Sequence, residues 1–179
     1  HLAGDKYDLH GIIGTMLMKD PVFPVPSSLI EKACSFNDYD CGHEFDLDGG
    51  IMIKTGQLNH PNGACGYRIE FEGKIIAICT DTEHFEGRID DNVVALAKDA
   101  DIMVYDAAYT EESYPNFKGW GHSTWQEAIK VADAANVKQT FLFHHDPSHS
   151  DDVMDKIAKE VALIRGGVRP AIEGETVTV

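Results

Sequence analysis

The stretch GWGHSTWQEA, Gly119–Ala128, decides the fold. Thr124 and Glu127 have capping-box spacing, in which a hydroxyl and a carboxylate satisfy free backbone N–H groups where a helix starts. Ala128, Val131, Ala132 and Ala135 then share one face at helical spacing, so an apolar-faced helix opens at Ser123 or Thr124. His122 stands just before that cap, beside the positive end of the helix dipole, a place that suits an anion such as phosphate. A histidine there can donate to a developing oxyanion or protonate a leaving group. The plainer alternative is that His-Ser-Thr only caps the helix.

On either side lie apolar runs that end in polar, ligand-type residues. Ile75–Cys79 is continuously apolar, as a strand covered on both faces is, and runs into Thr80 and Asp81. Ile102–Tyr105 runs into Asp106, and Phe141–Phe143 into His144 and His145. Helix-patterned segments fall between them: VVALAKDA from Val93, the helix after His122, and one capped by Ser150, with Asp151 and Asp152 in its first turn. That last helix carries the stripe Val153, Ile157, Val161 and Ile164. Upstream, Ile51–Thr55 is a strand, and GYRIEFEGKIIAICTD from Gly66 is a hairpin turning at Gly73. The tail RPAIEGETVTV gives one or two closing strands, DPVFPVP at 20–26 a stiff loop, and Ser28–Phe36 a short helix. Strands alternating with helices make a layered α/β fold, and sites in such folds gather where strands end. Three strand ends on one rim would suit a cation. His60, in the loop LNHPNG, is a fourth candidate. Singly, each Asp is as readily a turn or cap residue and each His a surface residue; their joint order carries the metal reading.

The 179 residues form one domain, 1–179, with no repeat or linker. Thirty acidic residues against 15 basic ones give a charge of −15, a surface that repels nucleic acid and is also a common solubility feature. No apolar stretch reaches the ~18 residues of a membrane span. Cys34, Cys41, Cys65 and Cys79 form no CxxC pair, so a zinc knot is not expected. They read as thiols of a reducing cytoplasm, with Cys65 and Cys79 able to approach across the hairpin. The chain starts without Met, which reads as an upstream part lost or cut.

The order LNHP, TDTEH, YDAAY, GHSTWQEA, LFHHDP resembles the metallo-β-lactamase superfamily over nearly the whole chain, in the branch of ribonuclease Z and related phosphodiesterases. The His-Ser-Thr motif and its helix are the most specific part. The resemblance implies an αββα sandwich. It implies metal ligation by His60, Asp81 and His144, with Asp81 bridging two divalent ions, zinc first and manganese or iron as alternatives. It implies that His122 acts at the scissile phosphate, so that the catalytic residues are His122 and Asp81. The Ala171–Gly174 pattern is similar to the family's usual end. The family's HxHxDH signature is missing from this sequence, His1 and His10 do not replace it, and the expected fold is therefore an N-terminally incomplete one with a half-built two-metal centre.

What the resemblance implies is a metal-dependent hydrolase in which a metal-bridging hydroxide attacks phosphorus. Tyr105–Asp106 stands where ribonuclease Z carries its His-Glu segment, and the run after His144 also differs. With the acidic surface, this favours a small phosphodiester, such as a cyclic nucleotide, over nucleic acid. One alternative is hydrolysis of a carboxylic ester, thioester or lactam. Another is a non-catalytic fragment acting through its surface, for instance as a homodimer. His43, His84, His145 and His149 have no firm role, although His84 and His145 stand close enough in sequence to support ligands.

Overall fold

The computed structural model describes residues 8–18, 23, 26, 28–29 and 32–179. His1, most of the loop expected at 20–26, and Ile30 and Glu31 of the helix expected at Ser28–Phe36 lie outside them. Ser28 and Leu29 are helical, but Cys34, Ser35 and Phe36 have no regular structure. The chain gathers into two compact units, His1–Cys41 and Gly42–Val179. In the first, a π-helical segment, Gly11–Leu17, follows His10, whose ring meets the edge of Phe36 at 5.5 Å.

The second unit is one seven-stranded sheet in sequential order. β1 (Glu44–Leu47), β2 (Ile51–Leu58), β3 (Ala64–Phe71) and β4 (Lys74–Cys79) pair antiparallel. β4 then pairs parallel with β5 (Ile102–Asp106), β5 with β6 (Gln139–Phe143), and β6 with β7 (Val168–Pro170). Parallel neighbours need crossovers, and three helices supply them: α1 (Asp91–Ala97), α2 (Trp125–Ala134) and α3 (Asp151–Ile164).

All three helices contribute to a single core against one face of the sheet, with Val93, Leu96, Ala132, Ile157 and Val161 packed on Ala77, Met103, Tyr105 and Leu142. The Val, Leu, Ile and Met side chains among these, almost fully buried, each stabilise the fold by roughly 1.5–3 kcal/mol. α1 lies against β2 and β3 because glycines face each other there: Gly56 pairs with Gly66 and leaves a groove for Leu96. A Cβ on Gly66 would lie 2.7 Å from Leu96 Cδ1 and 3.0 Å from Leu58 Cδ2. Gly66→Ala is expected to lower the unfolding free energy by about 2 kcal/mol through overpacking. Urea denaturation checks this, and a loss no greater than about 0.5 kcal/mol would show that the groove can widen. Arg68 caps the far end of α1, donating to the carbonyls of Leu96 at 3.0 Å and Lys98 at 2.6 Å.

Several local expectations are corrected. Thr124 caps α2 by accepting from the Glu127 N–H at 3.2 Å, but the Glu127 carboxylate takes Lys130 at 2.6 Å. Ser150 stands at the start of α3, yet its side chain makes no capping bond. Ile157 and Val161 are buried, whereas Val153 and Ile164 are exposed. The closing strand is β7 alone, and residues 171–179 form no strand. All four cysteines are free, so Cys65 and Cys79 form no disulfide. Burial, then the charge of Asp90, pushes the Cys79 thiol up to about 12. No helix among the described residues is long and apolar enough to cross a membrane.

Candidate active site

Strand direction assembles the site. β4, β5 and β6 are parallel, so Asp81, Asp106 and His144 leave the sheet at the same rim. β2 is antiparallel to β3, which is antiparallel to β4, so β2 runs with β4 and delivers His60 to that rim too. Loops at the carboxyl ends of strands are where open α/β sheets hold ligands. The third histidine, His122, arrives from the loop before α2, which is tied to the end of β5 by a bridge between Tyr109 and Thr124.

The structure brings together all four residues singled out in the sequence. His60, Asp81 and His122 each offer a ligand atom, all within 4.8 Å of one another. His144 Nε2 lies 3.4 Å from Asp81 Oδ1, and the His144 ring stacks on His122 at 4.6 Å. Asp81 and His144 both have backbones in the left-handed region, φ 58° and 61°, which turns each sharply off its strand. Such conformations cost on the order of 1 kcal/mol for residues with a side chain and gather at functional sites.

Asp106 organises this geometry, and the sequence did not reveal that role. It is fully buried. Its Oδ2 accepts from the N–H groups of Asp81 at 3.0 Å and Thr82 at 3.3 Å, and is 2.9 Å from His122 Nδ1. Its Oδ1 accepts from the N–H groups of Ala108 and Ser123, both at 3.2 Å. One carboxylate thus holds the turn after β4, the turn after β5 and the start of the α2 cap. Asp106, His122 and His144 also form a ligand-like group. With its oxygens taken by five N–H donors, however, Asp106 is a scaffold rather than a metal ligand. Because a carboxylate only accepts, His122 donates through Nδ1, and Nε2 remains for chemistry. The bond to Asp106 raises the His122 pKa above the usual histidine value, against the opposing effect of burial.

Glu83 is the second hidden organiser. Its carboxylate accepts from the Tyr114 hydroxyl at 2.6 Å and from the N–H groups of Gly119 at 2.7 Å and Gly121 at 2.9 Å. Its backbone exchanges bonds with Asn59, beside His60. Burial pushes its pKa up, but these donors outweigh burial and hold it below the usual carboxylate value. Gly121, at φ +92°, sits so close to His60 that an added Cβ would run into the imidazole.

His43, His84 and His145 belong to neither ligand-like group. His84 Nδ1 is 3.0 Å from Ser123 Oγ, and its ring lies on Tyr114 at 4.3 Å, so it braces the cap rather than a ligand. Both ring nitrogens of His145 are buried without a hydrogen-bond partner; they approach the backbone of Ala107 and Leu142 in poor geometry. His43 contributes its carbonyl to Thr55.

A mixed α/β sheet with imidazoles and carboxylates gathered on its carboxyl rim defines the class. The chain belongs to the beta-lactamase superfamily, whose domain model matches residues 16–145. A Ribonuclease Z from Streptococcus mutans is 35% identical over 125 residues, covering 66% of this chain and 36% of that protein. The chain thus spans about a third of the length of the curated relatives it matches. The metallo-beta-lactamase fold protein YhfI from Bacillus subtilis matches with a TM-score of 0.63 at 18% identity, over 76% of this chain and 53% of that one. A diphosphatase of the PhnP family matches with a TM-score of 0.58 at 17% identity, over 78% of this chain and 47% of that one. These two likenesses establish the fold alone.

Proposed function

We propose that the rim is the centre of a metal-dependent phosphodiesterase, with His60, Asp81 and His144 as metal ligands and His122 as the group acting on the phosphate. The observation that carries this reading is the His122–Asp106 contact of 2.9 Å, set beside half-buried ligand-type groups. A histidine held in this way can protonate an alkoxide leaving phosphorus or carbon alike, so the choice of phosphorus rests on kinship. Kinship with proteins named Ribonuclease Z and structural likeness to a diphosphatase support phosphoryl chemistry.

The donors fit the cation. Imidazole nitrogen and carboxylate oxygen suit zinc, with manganese or iron as alternatives; donor atoms of His60 and Asp81 lie within 4.8 Å of each other, and His144 Nε2 lies 3.4 Å from Asp81 Oδ1. A bound divalent metal supplies Lewis acidity toward a phosphoryl oxygen and lowers the pKa of water. The chain's own residues do the rest. Asp106 fixes the His122 ring and its tautomer. With Nδ1–H bonded to Asp106, Nε2 carries a proton only in the imidazolium form, which the Asp106 carboxylate favours, and in that form it donates to a phosphoryl oxygen or to the departing oxygen.

His122→Ala is expected to lower kcat on bis(p-nitrophenyl) phosphate by ~100-fold or more while leaving bound zinc unchanged. Loss of zinc in that variant would mean that His122 is a ligand. For substrate, kinship with Ribonuclease Z supports RNA, while a charge of −15 supports a small nucleotide phosphodiester. We favour the small one. Cleavage of a cyclic nucleotide at a higher kcat/KM than a single-stranded RNA supports that choice, and the reverse order overturns it. The free cysteines support a reducing compartment such as the cytoplasm.

A further inference from the structure

Trp120 is 62% exposed, an uncommon position for the largest side chain, and it directly precedes Gly121 and His122. It is held rather than loose. The residues on both sides, Gly119 and Gly121, have positive φ, +86° and +92°, and the N–H of each donates to the Glu83 carboxylate. The two bonds bracket Trp120 and fix its backbone. Its ring meets the edge of Phe117 at 5.5 Å, Phe117 stacks on Tyr109 at 4.5 Å with planes 5° apart, and Tyr109 reaches His122 at 6.2 Å. A continuous aromatic ladder therefore runs from the surface to the histidine that faces the phosphate.

We propose that Trp120 is the base-stacking platform of the substrate site, so that the phosphodiester this site takes carries a nucleobase. The proposal rests on the phosphodiesterase reading. A rigid, solvent-facing π surface beside an anion site is what a nucleotide needs: the phosphate lies at the rim and the base on the ring. A single exposed Trp offers too little area for a stable protein interface, and a net charge of −15 disfavours an anionic membrane.

The test is binding to the full chain without added metal, which separates it from turnover. Trp120 is exposed and Trp125 is 5% exposed, so quenching of tryptophan emission reports mainly on Trp120. Adenosine monophosphate is expected to quench the emission saturably, and ribose 5-phosphate, which has the anion but no base, is not. By calorimetry, Trp120→Ala is expected to bind adenosine monophosphate ~10-fold more weakly, the loss of one base–aromatic stack, and Trp120→Phe to retain most of the affinity. Equal binding of ribose 5-phosphate, or unchanged affinity in Trp120→Ala, overturns the platform. So does concentration-dependent self-association that disappears in Trp120→Ala. Hydrolysis of bis(p-nitrophenyl) phosphate together with equal kcat/KM on phosphodiesters with and without a nucleobase would leave the phosphodiesterase reading standing and remove the platform.

Discussion

Asp106→Ala is expected to be the most damaging single substitution at the rim, lowering the unfolding free energy by about 4 kcal/mol. The side chain is fully buried and takes five N–H donors from three segments of chain. Each buried donor left without a partner costs roughly 1–3 kcal/mol, and partial relaxation recovers some of that sum. Asp106→Asn does not rescue it: donors face both oxygens, so the new amide group must point at an N–H whichever way it is turned. About half the loss is expected to remain. Asp81 supplies the contrast, because its side chain is 46% exposed and Asp81→Asn should cost no more than ~0.5 kcal/mol. Urea denaturation of the three variants at constant m decides. A stability of Asp106→Ala within about 1 kcal/mol of wild type would mean that the rim is organised by something else.

Gly121→Ala ranks next, at about 3 kcal/mol. Two effects add. The backbone at φ +92° suits glycine alone, and the new methyl group would lie within the space of the His60 ring and 2.8 Å from Pro61 Cδ. Gly119 separates the two, since it has φ +86° in the same loop but nothing within 4 Å of its missing Cβ. Gly119→Ala should therefore cost only the backbone part, about 1 kcal/mol. The difference between these variants measures the contact with His60. If both lose the same amount, the imidazole has room to move and the loop does not position it.

β4, β5 and β6 were legible in the sequence because each has an apolar run covering both faces, and the rim was legible because ligand-type residues follow all three. The direction of β2 relative to β4 was not, since a strand run carries no sign of its orientation, and this is what brings His60 to Asp81. β1, EFDL, alternates polar and apolar residues, but over four positions alone, and it is mostly exposed. The α3 stripe failed at its end because Ile164 lies in the last turn and is 62% exposed, beyond what the sheet covers. Asp106 could be picked out as a strand-end residue. That it gathers five donors follows only from three segments meeting, which no spacing encodes. Glu83 was hidden for the same reason: nothing in TDTEH shows that its carboxylate binds a glycine loop far along the chain.

The central claim is that His60, Asp81 and His144 bind one kind of cation together. The ring-nitrogen NMR shifts of all the histidines, followed as zinc is added to the wild type and to Asp81→Ala, test it most directly. The expected result is that His60 and His144 shift together and saturably in the wild type and stay unmoved in Asp81→Ala, with Nδ1 of His122 still bonded to Asp106. Zinc shifts confined to other histidines, or the same at His60 and His144 with and without the Asp81 carboxylate, would contradict it.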